Sequence, residues 1–194
     1  TLFDLHLEVR LLDAVDRSEE ALDKVRALLP VSARVQGPEH PEVLSIRYRE
    51  AWLLKAVGRP ADALAKINSL LPIRARVSGA EHPNTLSTRL LGVQLLHTIG
   101  KSAEALDRVQ SLSPVIKAVQ GAEHPDVLVT QKFEAMLLSE AGQFDAALET
   151  VQDILPIMRR TQGPEHTEVF VIAYLEVWLL AERGNLAEAL EKVR

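Results

Sequence analysis

Two sets of side chains that could do chemistry recur along this sequence. Histidine, which binds metal ions and transfers protons near neutral pH, occurs at His40, His82, His124 and His166. Each histidine lies at a different junction between repeated segments, so we expect neighbouring copies to be too far apart to share one ion at about 2 Å. The pattern therefore favours a role in capping or bracing a helix start over a metal site.

Glutamate forms the second set, at Glu8, Glu50, Glu134 and Glu176. On a helical wheel these positions lie near the middle of the apolar face, where a leucine would be expected. A buried carboxylate needs a partner, so we expect structural ion pairs. The candidate partners are arginines one turn earlier or in the neighbouring helices, namely Arg47, Arg34, Arg76 and Arg159. A general acid with a raised pKa is the alternative, but the repetition of this carboxylate argues against a single active site.

The sequence motifs of known catalytic sites are missing. The chain contains no phosphate-binding glycine loop, no His-Glu-x-x-His zinc motif, no Gly-x-Ser-x-Gly nucleophile motif and no cysteine. No repeat holds a unique cluster of titratable residues. We therefore predict a protein that is not an enzyme and that holds neither a cofactor nor a metal ion.

The composition narrows the class of protein further. The 194 residues carry 22 Lys and Arg against 27 Asp and Glu, a net charge of −5, so no basic surplus attracts nucleic acid or an anionic membrane. The longest apolar stretch, Val169 to Ala181, is interrupted by Glu176 and is too short to span a bilayer. With no cysteine and no secretory leader, a cytoplasmic location is expected.

The elements that position these residues follow a 42-residue repeat. The motif Gly-[Pro/Ala]-Glu-His begins at Gly37, Gly79, Gly121 and Gly163. A second glycine has the same period, at Gly58, Gly100, Gly142 and Gly184. These landmarks define one array of repeats with approximate bounds 1–36, 37–78, 79–120, 121–162 and 163–194. Because the first and last repeats are incomplete, we expect the sequence to be a fragment of a longer protein.

Each repeat is predicted to be a pair of helices. The first helix begins after Glu-His, where a proline such as Pro41 suits the first helical position because its missing N–H is not needed there. It ends at the Gly58-type glycine, and the second helix runs to the next Gly37-type glycine. An inner proline, at Pro30, Pro72, Pro114 and Pro156, is expected to kink the second helix without breaking it. The predicted fold is all-α, a right-handed α-solenoid of about 4.5 stacked antiparallel helix pairs.

The helix pairs, the G-[PA]-E-H-P junction and the Ala-Leu pair of each second helix resemble tetratricopeptide repeats (TPRs). The 42-residue period is similar to that of the long TPR variety in kinesin light chains and in large bacterial regulators. The resemblance implies a TPR-like superhelix whose first helices line a concave groove that binds peptides. Two features depart from the family: the proline lies inside the second helix, and the asparagines common in the first helix of the long variety are absent.

We define the first-helix stripe as positions 45, 48, 52 and 55 and their equivalents in the other repeats. The residue types on this stripe vary from repeat to repeat, whereas those on the opposite face of the helix are consistently apolar. Both tryptophans and both tyrosines lie on it, as the equivalent pairs Tyr48–Trp52 and Tyr174–Trp178. Large aromatic residues often anchor binding partners. The predicted binding residues on or beside the stripe are Arg10, Tyr48, Arg49, Trp52, Lys55, Leu90, Gln94, His97, Lys132, Met136, Tyr174 and Trp178. Alternatively, each tryptophan packs against the next repeat or forms a self-association contact.

These patterns predict a non-catalytic interaction module that binds a peptide or protein segment in the groove, with no nucleic-acid or membrane partner. Two other functions stay open. Ends without a capping helix could stack or exchange helices, which would make the chain a self-assembling scaffold. The chain could also be the ligand-sensing region of a larger signalling regulator, in which case a closed pocket between repeats is expected.

Overall fold

The computed structural model describes residues 8, 11–12 and 17–193, and all regular structure within these ranges is helical. The helices with assigned bounds are α1 (Ser18–Gln36), α2 (Pro41–Ala56), α3 (Pro60–Ser78), α4 (Pro83–Thr98), α5 (Ser102–Gln120), α6 (Pro125–Glu140), α7 (Phe144–Gln162), α8 (Thr167–Glu182) and α9 (Leu186–Val193). We call α2, α4, α6 and α8 first helices, and α1, α3, α5, α7 and α9 second helices. The predicted all-α fold of helix pairs is confirmed.

The chain divides into two compact units, Thr1–Lys101 and Ser102–Arg194. In the first unit, consecutive helices pack against each other from α1 to α4, and first helix α2 also contacts first helix α4. In the second unit, consecutive helices pack from α5 to α9. The second helices α3 and α7 each lie between two first helices, as a helix-pair repeat requires because each pair buries its apolar face against the next. None of the helices within the described ranges is long and apolar enough to cross a membrane.

Histidines cap the first helices, as predicted. Nδ1 of His82 accepts a hydrogen bond from the backbone N–H of Asn84 at 3.1 Å. The other three members of the set, His40, His124 and His166, accept the same bond from the residue two positions later. The contact satisfies one of the backbone donors that a helix start leaves without an intrahelical partner. The proline that follows three of these histidines occupies the first helical position.

The turn from the first to the second helix depends on a glycine. Gly58 has a φ of +75°, a conformation that costs a residue with a Cβ atom free energy. It lets the backbone N–H of Arg59 return to the carbonyl oxygen of Leu54 at 2.8 Å, which closes α2. The equivalent Gly100, Gly142 and Gly184 have φ values of +81°, +73° and +80°. The predicted helix stop is therefore confirmed in each of these repeats.

The inner prolines lie within continuous helices, as predicted. Pro30, Pro72, Pro114 and Pro156 are all flanked by helical residues on both sides. Each removes the hydrogen bond to the carbonyl four residues earlier. The residues that carry those carbonyls are exposed, at Arg26, Asn68, Gln110 and Gln152. Water can therefore solvate the carbonyl that the proline leaves without its helical donor.

The core of each unit forms where first and second helices meet. In α2, Leu44, Ala51, Leu53 and Leu54 are buried, whereas Val57 at the helix end is only half-buried. The opposite side of α2 carries the first-helix stripe. The fold thus fixes which face of each first helix is available to a partner.

Candidate protein-binding surface

Trp52 lies in the C-terminal half of α2 on the face opposite the core. Its side chain keeps 40% of its surface exposed, although the adjacent residues Ala51 and Leu53 are completely buried. Lys55, one turn later, donates a hydrogen bond from Nζ to Oε1 of Gln94 at 2.8 Å and so links α2 to α4. Partial burial lowers the pKa of the Lys55 ammonium. Trp52 therefore lies beside a polar bridge between two first helices.

Tyr48 is half-buried, because the guanidinium of Arg74 lies 5.1 Å from the centre of its ring. Arg74 extends from α3 and is only 4% exposed. It donates hydrogen bonds to the carbonyl oxygens of Leu44 and Asn84, at 2.9 and 2.7 Å, and to Oγ1 of Thr88 at 2.8 Å. Burial lowers the pKa of the Arg74 guanidinium, and the nearby Tyr48 partly offsets this effect. Tyr48 therefore helps to cover a buried cation.

Sequence reasoning missed Arg74, although a signal was present. Its equivalents at 42-residue steps are Ser32, Ile116 and Met158, so Arg74 is the only charge at a position that is otherwise apolar or small. A charge at such a position requires hydrogen-bonding partners that the other repeats do not need.

The remaining predicted residues of the first unit differ in how much surface they offer. Arg49, Gln94 and His97 are half-buried, and His97 has interaction partners. Leu90 is only 7% exposed, so it offers little surface to a partner. The Leu90 side chain is apolar and packs in the core of the first unit. Arg10 lies outside the described residues.

In the second unit the two aromatic residues of the pair behave differently. Tyr174 is 73% exposed. Trp178 is half-buried and packs edge to face against Phe144 at the start of α7, with ring centres 5.6 Å apart. Trp178 therefore packs between helices, on the preceding repeat and not on the next one, whereas Trp52 faces outward. The positions equivalent to Phe144 are Ser18, Pro60 and Ser102 in the three preceding repeats and Leu186 in the last, a difference that sequence reasoning did not use.

The rest of the second-unit stripe combines an ion pair with apolar side chains. Lys132 Nζ pairs with the carboxylate of Glu168 and so links α6 to α8. Met136 is half-buried, whereas Val129 and Val171 are exposed. Each unit thus presents a first-helix surface of aromatic, aliphatic and polar side chains.

Three glutamates of the repeated set, Glu8, Glu50 and Glu176, form structural ion pairs, but their partners differ from the predicted arginines. Glu50 is 3% exposed and accepts from Nζ of Lys66 at 2.8 to 3.0 Å. Glu176 pairs in the same way with Lys192 at 2.6 Å, and both lysines lie 16 residues after the glutamate. Glu8 pairs with Lys24 at 2.7 Å. The lysine extends from the second helix of the same repeat, which brings its ammonium to the carboxylate.

Glu134 departs from this arrangement. The position of the lysine is taken by Thr150, whose hydroxyl donates to the backbone carbonyl of Ala146 at 2.9 Å. Burial raises the pKa of the Glu134 carboxyl, and a hydrogen bond from Ser113 partly offsets the effect. In the part of the chain that the structure describes, no three histidine, aspartate or glutamate side chains come close enough to hold a metal ion.

Neither a protein-family model nor a curated protein matches the sequence. Solved structures match its fold. A candidate kinesin light chain from Podosopora anserina, with nearly identical TPR-like repeats, has a TM-score of 0.81 at 21% identity, covering 99% of this chain and 91% of that one. BtubC (BKLC) from P. vanneervenii has a TM-score of 0.83 at 14% identity, with 97% and 75% covered. YrrB, a TPR protein with an unusual peptide-binding site, has a TM-score of 0.60 at 15% identity, with 95% and 78% covered.

The helix pairs, their caps and these similarities define the fold class. The chain has the fold of TPR-like repeats, and the solved structures that it matches include the repeats of a candidate kinesin light chain. The resemblance predicted from the 42-residue period is therefore confirmed.

Proposed function

We propose that this chain is a non-catalytic interaction module that binds a peptide or protein segment on the surface formed by its first helices. One observation carries the proposal: Trp52 keeps 40% of its surface exposed within a helix whose opposite face is fully buried. Burying a large apolar side chain is worth roughly 1.5–3 kcal/mol relative to leaving it in water. A partner that covers Trp52 would gain part of this free energy.

The surroundings of Trp52 suit recognition of a polypeptide. Arg49 and Lys55 lie one turn before and one turn after Trp52 on α2, and Lys55 is hydrogen-bonded to Gln94 of α4. All three side chains are half-buried, so they stay reachable from solvent. Such a surface joins an aromatic anchor to polar groups that can contact a backbone. Tyr174 offers a second exposed aromatic ring in the other unit. YrrB, which has the same fold and a peptide-binding site, supports this proposal by analogy.

The proposal is tested by selecting peptides from a random phage-displayed library on the immobilised chain and measuring their affinity by calorimetry. Trp52→Ala should weaken binding by about tenfold or more, because truncating an anchoring aromatic typically costs about 2 kcal/mol or more. Asn68→Ala serves as the control, since Asn68 is exposed on α3 away from the first helices. Circular dichroism of both variants checks that they stay folded.

Two results would contradict the proposal. A library that yields no specific binder argues against an interaction module. Binders whose affinity is unchanged by Trp52→Ala, or is reduced equally by Asn68→Ala, argue against the first-helix surface.

A further inference from the structure

The space that the Arg74 side chain fills in the first unit is an open pocket at the equivalent place in the second unit. In the first unit, Arg74 and Tyr48 together occupy the space between α2, α3 and α4. The positions two repeats later, 84 residues along the chain, are occupied by Met158 and Lys132. There, a pocket of about 210 Å³ opens between α6, α7 and α8. It is lined by Leu128, Val129, Lys132, Met158, Gln162 and Glu168.

The side chains explain why the space is open. Met158 is 2% exposed and forms the floor of the pocket. It occupies the position that the longer Arg74 side chain occupies in the first unit. Lys132 pairs with the carboxylate of Glu168, so it spans the rim instead of covering the floor as Tyr48 does with Arg74. Val129, beside the opening, is exposed. The pocket is therefore apolar at its base and charge-neutral at its rim.

The same replacements change which chemistry the pocket accepts. In the first unit the guanidinium is held by the Tyr48 ring and by Oγ1 of Thr88. Lys132 replaces the ring and Ile172 replaces the threonine, so a guanidinium would lose both of these contacts, and the Glu168 carboxylate at the rim is already paired with Lys132. An uncharged apolar group would instead bury surface against Met158 without losing hydrogen bonds. The replacements thus remove two of the four contacts that hold the guanidinium in the first unit, the Tyr48 ring and the Thr88 hydroxyl.

We infer that this pocket binds one aliphatic side chain, such as leucine, isoleucine or methionine, of a polypeptide that lies along α6 and α8. Its volume of about 210 Å³ is below the range of small-molecule sites, roughly 300–1,000 Å³, and suits a single side chain. The Gln162 amide and the Lys132–Glu168 pair at the rim are placed to contact backbone groups of the same segment. The inference rests on the proposed peptide-binding function and specifies what the second unit selects.

The two methionines of the chain provide the reporters for a test. With ¹³C-methyl methionine, the intact protein should give two methyl signals, Met158 in the pocket and Met136 on the first-helix stripe as the internal control. The probes are N-acetyl-leucine methylamide and its arginine and serine counterparts. The leucine probe should shift the Met158 signal, saturably and at least five times as far as the Met136 signal. The serine and arginine probes should shift Met158 by less than a third as much.

Matched variants locate the response. Val129→Phe places a ring at the pocket mouth and should abolish the Met158 shift. Ser45→Phe, at the equivalent position of the first unit, should leave it unchanged. An arginine probe that shifts Met158 as far as leucine, or no Met158 response to leucine, would overturn the inference. So would a full response in Val129→Phe.

These outcomes are separable from failure of the proposed function. Peptide binders that depend on Trp52, together with no Met158 response, would overturn the pocket alone. A leucine-specific Met158 response without any peptide binder would support the pocket and overturn the interaction module.

Discussion

Residues that occupy the same position in successive repeats show how one side chain depends on its neighbours. Glu50 and Glu176 are almost fully buried, yet each has a lysine from the following helix within 3.0 Å. Glu134 has Thr150 where that lysine would be, and burial raises the pKa of its carboxyl. The repeat unit therefore tolerates a carboxylate in its interior where a matching cation extends from the second helix.

Glu134 should make the stability of the chain depend on pH. Because the pKa of its carboxyl is higher in the folded than in the unfolded state, the free energy of unfolding falls as pH rises from the unfolded pKa through the folded one. Glu134→Gln removes this decrease and Thr150→Lys should reduce it. The difference is expected to be no more than about 1 kcal/mol, since solvent screens a partly exposed group.

Urea unfolding at pH 4 and pH 7 measures the effect, with Glu149→Gln on the exposed side of α7 as the matched charge control. The wild-type chain should lose stability relative to Glu134→Gln as pH rises. Parallel curves for the wild type and Glu134→Gln would show that the carboxyl titrates alike in both states.

At the scale of the helix, local chemistry sets where each element begins and ends. His82 should contribute through its cap, because Nδ1 accepts from the backbone N–H of Asn84. His82→Ala should reduce the free energy of unfolding by about 1 kcal/mol, whereas His82→Asn, which can accept the same bond, should retain most of it. Urea unfolding together with amide hydrogen exchange at Asn84 measures both variants. Equal losses in the two would show that the ring acts through packing and not as a cap.

The helices could be predicted closely because their signals are local. The Glu-His-Pro start, the Gly58-type stop and the exposed carbonyl before each inner proline depend on residues within a few positions of one another. The choice of partners between helices could not be predicted in this way. Lys66, which pairs with Glu50, lies on another helix and 16 residues away in the sequence. Arg47 lies on the same helix as Glu50, only one turn away, so the sequence favoured it as the partner.

At the scale of the whole chain, the 42-residue period predicted the TPR-like fold, because any helix pair repeated at that spacing must bury the same face each time. The residues exposed on the candidate surface could be predicted from the sequence only in part. The outward position of Trp52 could be read from helical periodicity, whereas the burial of Leu90 and the packing of Trp178 on Phe144 could not. Those two outcomes depend on side chains from other helices. The contacts that the 42-residue period does not predict are made largely by residues that differ between repeats, such as Arg74 and Phe144.

The central claim, that a partner covers Trp52, is tested most directly by its fluorescence. The chain has two tryptophans, so Trp178→Phe leaves Trp52 as the single tryptophan emitter and keeps an aromatic ring against Phe144. Addition of a selected peptide should shift the Trp52 emission to shorter wavelength and reduce its quenching by iodide, because the exposed part of the indole leaves water. An unchanged emission maximum and unchanged quenching at saturating peptide would contradict the account.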